Sequence, residues 1–407
     1  MTHFKTRKPC PGKHERRTRV NDSEESRRRS REPVASPAVG APPVVAVLGG
    51  GQLGRMLGLA GVPLGATFRF LDPSPDAGAA ALGELLVGRL DDLDGVRELV
   101  AGADVCTFEW EGVPAASARA AERHVPVRPS PRSLEVAQDR VAEKERFRAL
   151  GIDTADFVPV QSRADLDAAV AQLGFPAMLK TRRGGYDGKG QRVLAEPADV
   201  EAAWSDLRGA PLVLERFVAF ERELSIVAVR SLDGSTSCWP VVENAHHEGI
   251  LRVTRAPAPS LDDPTRARAE EIARLVLDDL GHVGVGCIEL FQQGARLLAN
   301  ELAPRVHNSG HWTIEAAETS QFENHVRAVL GWPIGPTRAR GVAAMVNCIG
   351  ALPDRAAVLA LPGAHLHDYA KLPRVGRKVG HVTLVAPDAA SLDARLAPLL
   401  DLAGPPA

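Results

Sequence analysis

The sequence is poor in cysteine and has no spacing that would pair the cysteines it does have. Its 407 residues include five cysteines, an odd number, and no two of them stand in a CxxC arrangement. This pattern argues against a disulfide framework and against a cysteine-based zinc site, and it is typical of proteins from a reducing compartment. We therefore expect a cytoplasmic location.

Long apolar runs and an excess of charge of one sign are also missing. No apolar run approaches the roughly 18 residues that a membrane-spanning helix needs, and the N-terminus has positive charge without the apolar core of a secretory signal. The formal net charge of -2 gives no reason to expect a nucleic-acid partner. Small molecules are thus the expected partners, and neither a membrane nor a nucleic acid is.

Apolar periodicity is absent from the first 43 residues, which are rich in Arg, Ser and Pro. Residues 1–32 carry 11 basic and 5 acidic side chains, whereas the remaining residues carry 38 basic and 46 acidic ones. We expect residues 1–43 to form a disordered basic tail. The alternative is an arm that binds anions through Arg27, Arg28 and Arg29.

The ordered part is expected to begin with alternating strands and helices. A continuous apolar run at 44–48 is typical of a buried strand, and further strand-like runs follow at 68–72 and 105–109. Helical stretches between these runs predict βαβ units and hence a parallel sheet.

A glycine-rich turn follows the first predicted strand. Residues 49–54, GGGQLG, fit the pattern G-x-G-x-x-G, and Asp72 lies 18 positions past Gly54, near where an acid binds the ribose in a dinucleotide site. The glycines let the backbone approach an anion at a helix N-terminus, and a monophosphate or a carboxylate would serve as well as a dinucleotide. A tight strand-to-helix turn without any ligand is the remaining interpretation.

Helices and strands continue to alternate through the rest of the chain, whose length predicts two or three domains. Helices are predicted at 133–150, capped by Ser133 and ended by Gly151, at 162–173, where Asp165 completes a capping box, and at 264–280. Strands are predicted at 177–180, 212–215 and 224–229. The sequence GWPIGP at 331–336 indicates a boundary, after which we expect strands near 342–348 and 379–385 and a last helix near 389–400.

The segment 300–311, NELAPRVHNSGH, is the densest in reactive side chains. It follows an apolar run at 287–291 that contains Glu289. Because a desolvated carboxylate is costly, we expect Glu289 and Glu301 to lie on two adjacent strands and to face one metal ion. Mg²⁺ is usually held by one or two carboxylates plus substrate phosphates, and Arg305 offers the planar fork that suits a phosphate or carboxylate.

A second glycine-rich loop, GGYDGKGQ at 184–191, follows the strand that carries Lys180. Its backbone amides, together with Lys180 and Lys189, suit the phosphates of a nucleotide. It is not a Walker A motif, since its Gly-Lys pair is not followed by Ser or Thr. A hairpin loop with a solvated lysine is the alternative.

Two further stretches suit the ends of a nucleotide-like ligand. Residues 215–218 end a strand on an acid and enter an apolar hinge, which can present backbone groups to an adenine edge, with Glu223 near the ribose hydroxyls. The segment 371–381, KLPRVGRKVGH, places four cations around glycines and would clamp a phosphate. Taken alone, each is equally compatible with exposed acids at a strand end or with a solvated basic turn.

Together these segments resemble the ATP-grasp superfamily and, within it, the 5-(carboxyamino)imidazole ribonucleotide synthases. The resemblance rests on five motifs in order: GGGQLG, Gln138-Asp139-Arg140, GYDGKGQ, NExxPRxHNSGH and KxPRxGRKxGH. It implies an α/β and α+β protein with a Rossmann-like N-terminal domain, a central ATP-grasp domain of two α+β subdomains, and a small C-terminal domain. The implied bounds are 44–132, then 133–335 with subdomains of about 133–214 and 215–335, then 336–407.

The resemblance also implies what individual residues bind. The residues implied to contact ATP are Arg140, Lys180, Gly185, Tyr186, Asp187, Gly188, Lys189, Gly190, Gln191, Glu215, Arg216, Phe217, Val218, Glu223, His246, Asn300 and Glu301. Those implied to contact the ribonucleotide are Gln52, Leu53, Glu109, Tyr186, Asp187, Arg305, His307, Asn308 and Ser309, with Lys371, Arg377 and Lys378 at its phosphate. Glu289 and Glu301 are implied to hold Mg²⁺.

The implied reaction has two steps. ATP phosphorylates bicarbonate, and the resulting carboxyphosphate carboxylates the exocyclic amine of 5-aminoimidazole ribonucleotide. The expected catalytic residues are Asp187, Lys189, Arg305 and His307. Asp187 is the preferred proton acceptor and His307 the second choice, and the 184–191 loop is expected to close over the site. The resemblance further implies a homodimer.

Three other functions stay open at this point. Another ATP-grasp ligase, such as a formate-using glycinamide ribonucleotide transformylase, would share the ATP site. An NAD(P)-dependent oxidoreductase would rest on residues 49–54 and Asp72, and a catalytically silent nucleotide-binding protein would be expected to lack one of the paired acids. The basic tail and Gly112, which stands where the family usually has a polar side chain, depart from the family pattern.

Overall fold

The structure, a computed structural model, is a mixed α/β protein and describes residues 40–185 and 188–404. Residues 1–39 of the predicted tail therefore lie outside the described residues, as do Tyr186 and Asp187 of the predicted loop. Within the described ranges, no helix has the length and apolar character needed to cross a membrane.

The N-terminal part is built on a four-stranded parallel sheet. Its strands are β1 (Val44–Leu48), β2 (Thr67–Asp72), β3 (Glu84–Val87) and β4 (Val105–Phe108). They lie in the order β3-β2-β1-β4, with every pair parallel. The helices between and after them are α1 (Gln52–Gly61), α2 (Leu93–Val100) and α3 (Ala115–Glu122). The predicted parallel sheet is confirmed, and its three predicted strands agree to within one residue.

The single helix predicted at 133–150 is wrong. The chain forms two helices there, α4 (Pro131–Ala137) and α5 (Arg140–Ala149). Ser133 lies inside α4, and Asp139 caps α5 by accepting hydrogen bonds from the amides of Val141 and Ala142 at 3.2 and 3.3 Å. A short acidic side chain that bonds to nearby amides favours a helix start over a helix interior, so Asp139 interrupts the pattern.

A four-stranded antiparallel sheet follows in the first predicted subdomain. Its strands are β5 (Phe157–Val160), β6 (Ala177–Thr181), β7 (Gln191–Leu194) and β8 (Leu212–Arg216), in the order β5-β8-β6-β7. Two helices accompany it, α6 (Arg163–Leu173) and α7 (Asp199–Leu207). The predicted capping box is confirmed, since Ser162 and Asp165 exchange side chain-to-backbone hydrogen bonds at the start of α6.

The largest sheet has nine strands and continues from the second predicted subdomain into the C-terminal region. Its strands are β9 (Arg222–Arg230), β10 (Thr236–Cys238), β11 (Val242–His247), β12 (Ile250–Ala256), β13 (Gly284–Gln293), β14 (Arg296–Ala303), β15 (Val342–Gly350), β16 (Ala364–Asp368) and β17 (Arg374–Ala386). They run in the order β14-β13-β9-β11-β12-β15-β17-β16, with β10 paired to β9.

The pairing of β12 with β15 carries the sheet across the predicted boundary at 335. Val253 lies opposite Val346 in this antiparallel pair. A strand edge is thereby covered that would otherwise expose unpaired backbone groups. The C-terminal strands are consequently fixed relative to β13 and β14, which carry the two predicted metal ligands.

Five helices complete the described part of the chain. They are α8 (Asp263–Asp279), α9 (Thr313–Ala316), α10 (Gln321–Val329), α11 (Arg355–Leu359) and α12 (Ala389–Ala403). The helices predicted at 264–280 and near 389–400 are confirmed by α8 and α12. The α10 helix packs on both α1 and β13, so it joins the N-terminal sheet to the large sheet.

Candidate functional site

Two acidic side chains face each other on neighbouring strands of the large sheet. Glu289 on β13 and Glu301 on β14 are direct cross-strand partners, and the register shifts immediately after Glu289. Burial and the neighbouring Glu289 raise the pKa of Glu301, which is the response of a carboxylate whose charge is not fully compensated. A divalent cation would supply the compensating charge, so this pair fits the predicted Mg²⁺ ligands.

His307 lies against the first of these acids. Its Nε2 is 3.2 Å from Glu289 Oε1, and its Nδ1 is 2.8 Å from Ser309 Oγ. Burial acts to lower the pKa of His307, but Cys287 and Glu289 together raise it to about 10. A ring that is protonated at neutral pH is a partner for an anion, so these surroundings do not support His307 as a proton acceptor.

A buried ion pair joins the predicted ATP residues of the antiparallel sheet. Lys180 on β6 donates from Nζ to Oε2 of Glu215 on β8 at 2.9 Å. Although burial raises the pKa of Glu215, Lys144 and Lys180 lower it to about 2. The other carboxylate oxygen, Oε1, is buried and lies 3.4 Å from Lys144 Nζ. Both oxygens of Glu215 are thus paired with cations that hold this acid in place.

The base of the second glycine-rich loop is held by Arg140. Its guanidinium donates to Thr181 O at 3.1 Å and to Gly185 O at 3.2 Å. At the other end of the loop, Gln191 on β7 lies opposite Lys180. Gly188 and Gly190 have φ angles of 75° and 73°, which disfavour any other residue. The loop ends are thus fixed beside Lys180, as an ATP-covering loop requires.

The predicted adenine hinge is held by contacts within the protein. The Arg216 side chain pairs with Asp156 at 3.3 Å, and the Phe217 amide donates to Pro176 O at 3.2 Å. Val218 follows in the same hinge, and the Phe217 ring is 40% exposed. The contacts of these residues with an adenine stay predictions.

Glu223 and His246 form an ion pair across β9 and β11. Burial acts to lower the pKa of His246, but Glu223 raises it, and Glu289 adds to the effect. The oxygen of Glu223 that pairs with His246 is Oε2. His246 therefore lies close enough to Glu289 for their charges to interact.

The first glycine-rich loop surrounds a carboxylate of the protein itself. Glu109, which follows β4, accepts hydrogen bonds from the amides of Gly51 at 2.5 Å and Gly54 at 2.6 Å. Asp72 accepts from the amide of Gly50 at 2.9 Å. A Cβ atom at Gly49 would lie 2.6 Å from Glu109 Cγ, so glycine is required there. Because Glu109 occupies the anion position at the start of α1, a dinucleotide pyrophosphate has no place there.

The predicted phosphate clamp divides into two parts. Lys371 donates to the side chain of Gln52 at the start of α1, beside the largely buried Leu53. Arg377 and Lys378 lie on β17, and Arg377 donates to Leu372 O at 3.3 Å. The charge of Lys378 lowers the pKa of Glu289, so this lysine also lies near the Glu289–Glu301 pair. Lys371 is therefore placed beside the first glycine-rich loop and Lys378 toward β13.

Arg305 is held by Glu111, an acid that the sequence analysis did not predict as a site residue. Its guanidinium pairs with the Glu111 carboxylate, and the Arg305 side chain is only 13% exposed. Burial acts to raise the pKa of Glu111, but Arg305 lowers it. The charges of Glu109 and Glu301 both act on Arg305. The Arg305 guanidinium is consequently close enough to Glu109, at the first glycine-rich loop, and to Glu301, on β14, for their charges to interact with it.

The Glu111 segment also contains the departure at Gly112. A Cβ atom at this position would lie 2.3 Å from the Trp110 ring, which is 47% exposed. A side chain there would move the indole, so glycine suits this position of the ring but is not required by the backbone. Gln138, the first residue of the second family motif, supports the same loop by donating to Glu111 O at 2.7 Å and to Val113 O at 2.6 Å.

Two buried amides outside the predicted site hold the 307–311 segment. Asn347 on β15 exchanges hydrogen bonds with Asn308, at 2.6 and 3.1 Å. Gln321 accepts from the His307 amide at 2.9 Å and donates to His307 O at 2.7 Å. Both are fully buried. An isolated Asn in the apolar run 342–349 was a usable signal, whereas nothing in the local sequence distinguishes Gln321.

The structure thus brings most predicted residues to one region. Direct contacts or electrostatic effects connect Glu301, Glu289, His307 and Ser309, while Arg305 connects these to Glu109. Asn300 lies beside Glu301 on β14. Tyr186 and Asp187 lie outside the described residues, and the roles of Lys189 and the other catalytic candidates stay predictions.

Family models match three consecutive parts of the chain. They are described as ribonucleotide synthetase preATP-grasp domain over residues 43–138, ATP-grasp domain over 145–322, and phosphoribosylaminoimidazole carboxylase C-terminal domain over 343–395. The order of these three matches agrees with the predicted order of domains.

Relatives resemble the chain over nearly all of their own length. The N5-carboxyaminoimidazole ribonucleotide synthase of Pseudomonas aeruginosa is 53% identical over 353 residues, covering 87% of this chain and 97% of the relative. The crystal structure of the synthetase from Thermus thermophilus is 50% identical with a TM-score of 0.85, covering 88% of this chain and 98% of that one.

A third relative was solved with its ligands. The synthase from Aspergillus clavatus, in complex with ADP and 5-aminoimidazole ribonucleotide, is 32% identical with a TM-score of 0.84. The match covers 89% of this chain and 98% of that one.

Proposed function

The chain belongs to the N5-carboxyaminoimidazole ribonucleotide synthases, and from this premise we propose that it carboxylates 5-aminoimidazole ribonucleotide with bicarbonate and ATP. The products are N5-carboxyaminoimidazole ribonucleotide, ADP and phosphate, in purine biosynthesis. The observation that carries this proposal is that Glu301, paired with Glu289 across β13 and β14, and Glu109 of the first glycine-rich loop both act electrostatically on the buried Arg305 guanidinium. A cation between two anionic substrates is what the transfer between them requires.

The ATP side of the site consists of the residues around Lys180, Glu215 and the acid pair. Lys180 and Arg140 supply positive charge at the base of the second glycine-rich loop, and Lys189 adds to it from within the loop. Glu215, paired with Lys180, would line the adenine end, and Glu223, paired with His246, would accept from the ribose hydroxyls. Asn300 and Glu301 would meet the phosphates and the metal.

Glu289 and Glu301 would hold Mg²⁺, which when bound compensates the negative charge of the ATP phosphates. The supporting observation is that the two carboxylates face each other across β13 and β14 and that the pKa of Glu301 is raised. Two protein carboxylates are enough for this ion, because substrate phosphates and waters supply its other ligands.

The first chemical step forms a bond between a bicarbonate oxygen and the γ-phosphorus while the bond to the ADP oxygen breaks. Lys180, Lys189 and Arg305 stabilise the charge on the transferring phosphoryl group. In the second step the amine nitrogen of the ribonucleotide attacks the carbon of carboxyphosphate, and inorganic phosphate leaves. Arg305 remains beside that leaving phosphate, since its guanidinium is fixed by Glu111.

The ribonucleotide side of the site consists of the first glycine-rich loop, Glu109, Asn308, Ser309 and the Lys371 segment. Lys371, Arg377 and Lys378 are cations that suit the 5′-phosphate. Gln52 and Leu53 lie at the start of α1, where Gln52 accepts from Lys371, and Asn308 and Ser309 form the turn that follows His307. Asp187 stays the predicted acceptor of the amine proton, since Glu289 beside His307 raises the pKa of that ring.

A phosphate-release assay tests this function. Wild-type protein with MgATP and bicarbonate is expected to release phosphate rapidly only when 5-aminoimidazole ribonucleotide is added. Release stimulated by glycinamide ribonucleotide and formate would favour the other ATP-grasp ligase. A nicotinamide-dependent absorbance change without ATP consumption would overturn the proposal.

Assembly and location are part of the same proposal. We expect a homodimer in solution, which sedimentation of the purified protein will show. A reducing, cytoplasmic location is supported by the four cysteines of the described residues, Cys106, Cys238, Cys287 and Cys348, which are all free.

A further inference from the structure

Lys144 is a buried cation to which the proposed function assigns no role. It lies on α5, one turn after Arg140 and next to Glu143, and its side chain is only 1% exposed. Burial lowers the pKa of Lys144, while Glu215 opposes that effect. Since burying an ammonium group is costly, its partners must explain why it is there.

Those partners belong to two different sheets. Lys144 Nζ lies 3.4 Å from Glu215 Oε1, on β8 of the antiparallel sheet. The same ammonium donates to the backbone oxygen of Asn300 at 3.2 Å, on β14 of the large sheet, and to Thr154 Oγ1 at 3.5 Å. One side chain thus connects the hinge acid with the strand that carries Glu301.

Neighbouring contacts strengthen this connection. Glu143 accepts from the Leu302 amide at 2.6 Å, and Thr154 Oγ1 donates to Ala299 O at 2.8 Å. Arg140, one turn earlier, bonds to the backbone of Thr181 at the end of β6. The inner face of α5 therefore bonds to β14 at Asn300 and Leu302 and to the antiparallel sheet through Lys144 and Arg140.

We infer that Lys144 is a positioning residue for ATP: it sets the separation between Glu215 and the Asn300–Glu301 pair. The inference rests on the proposed ATP site, whose two ends these residues form. An ammonium group suits this task because its three donors reach an acid on one sheet and a carbonyl on the other. An apolar side chain of equal volume would fill the space without holding either partner.

The test compares Lys144→Met with Arg148→Met, which removes an exposed cation one turn further along the same helix. Affinity for a fluorescent ATP analogue and the separate KM values for ATP and ribonucleotide are measured on protein shown to be folded by circular dichroism. Lys144→Met is expected to raise the nucleotide Kd and the KM for ATP about tenfold to a hundredfold, because a hydrogen-bonded charge is lost. The ribonucleotide KM should stay within about twofold, and Arg148→Met should match the wild type.

Each remaining outcome has one meaning. If wild type binds MgATP and Lys144→Met binds it equally well, the positioning role is wrong and the proposed function stands. An equal rise in both KM values means a general structural role and also overturns the inference. If the wild type does not bind MgATP, the proposed function is contradicted, and the inference that rests on it is contradicted as well. Should Lys144→Met not fold, Lys144→Arg replaces it, with a selective rise in the KM for ATP expected and an unchanged KM contradicting the inference.

Discussion

The two sides of the proposed site hold their residues by different means. On the ATP side, charged groups pair with charged groups, as in Lys180–Glu215 and His307–Glu289. On the ribonucleotide side, the residues are held mainly by hydrogen bonds from neutral groups. Backbone amides hold Glu109, and the amide of Asn347 holds Asn308.

This difference determines how each side responds to a ligand. A charged ligand can replace a protein charge in an ion pair, so the ATP side is suited to exchanging partners when ATP and metal bind. Neutral amides that are already satisfied resist rearrangement, because breaking them leaves buried groups without partners. The ribonucleotide side is therefore the rigid one, apart from the cations that meet the phosphate.

The largest expected effect is on the ATP side. Glu301→Gln removes one charge of the acid pair and should lower phosphate release by at least about a thousandfold, because the charge of the transferring phosphoryl group is then poorly compensated. The measurement is ribonucleotide-stimulated phosphate release on protein with a wild-type circular dichroism spectrum. Glu318→Gln, which removes an acid paired with the exposed Arg338, serves as control and should be normal. Near-normal turnover in Glu301→Gln would contradict the proposal that Glu301 binds the metal ion.

A smaller effect is expected from a cation on the ribonucleotide side. Lys371→Ala should raise the ribonucleotide KM about tenfold to a hundredfold, since one charge-assisted contact to the phosphate is lost. The KM for ATP should change little, in contrast to Lys144→Met. Initial rates with each substrate varied in turn separate the two. A rise confined to the KM for ATP would show that Lys371 belongs to the other side of the site.

Local sequence patterns predicted the parts of this site that depend on strand register. Glu289 and Glu301 were expected to face each other because each lies in or beside an apolar run, and β13 and β14 pair them directly. The capping box of α6 was equally local. Such features can be predicted from the two-residue alternation of a strand or from the three-residue spacing of a capping box.

Long-range partners could not be predicted in this way. Glu111 pairs with Arg305 across 194 positions, and Lys144 bonds to Asn300 across 156. Apolar periodicity indicates which face of an element is buried, but not which element lies against it. The break at Asp139 was missed for a related reason, since its capping role is coupled to ion pairs with Arg182 and Arg183.

The last prediction uses pH to test a contact that neutral groups make. His325 on α10 is fully buried between β4 and β13: its Nδ1 accepts from the Val285 amide at 3.1 Å, and its Nε2 lies 2.9 Å from Thr107 Oγ1. Burial lowers the pKa of His325 to about 3. His282, buried in the same way, has a pKa lowered to about 4. Both rings are neutral in the folded protein at pH 5.

The sign of the effect follows from proton uptake. In the unfolded chain a histidine binds its proton near pH 6.5, so below that pH the unfolded state holds more protons and the free energy of unfolding falls. The loss is about 1.4 kcal/mol per pH unit, or about 2 kcal/mol for each histidine at pH 5. Glu215 behaves differently: its pKa is lowered to about 2, so its contribution is fully present above its ordinary pKa of 4.5 and is lost as pH falls from there toward 2.

Denaturant unfolding at pH 7 and pH 5 isolates the His325 contribution as a difference between variants, because Glu143, whose pKa is raised to about 8, and His246 also affect stability over this range, whereas Glu215 does not. His325→Gln is expected to be less stable than wild type at pH 7 but to lose about 2 kcal/mol less on going to pH 5. His365→Gln, at an exposed position, should keep the wild-type pH dependence. If His325→Gln showed the full wild-type loss, the acid sensitivity would not come from this ring, and the contrast between a charged and a neutral side would lose its main thermodynamic consequence.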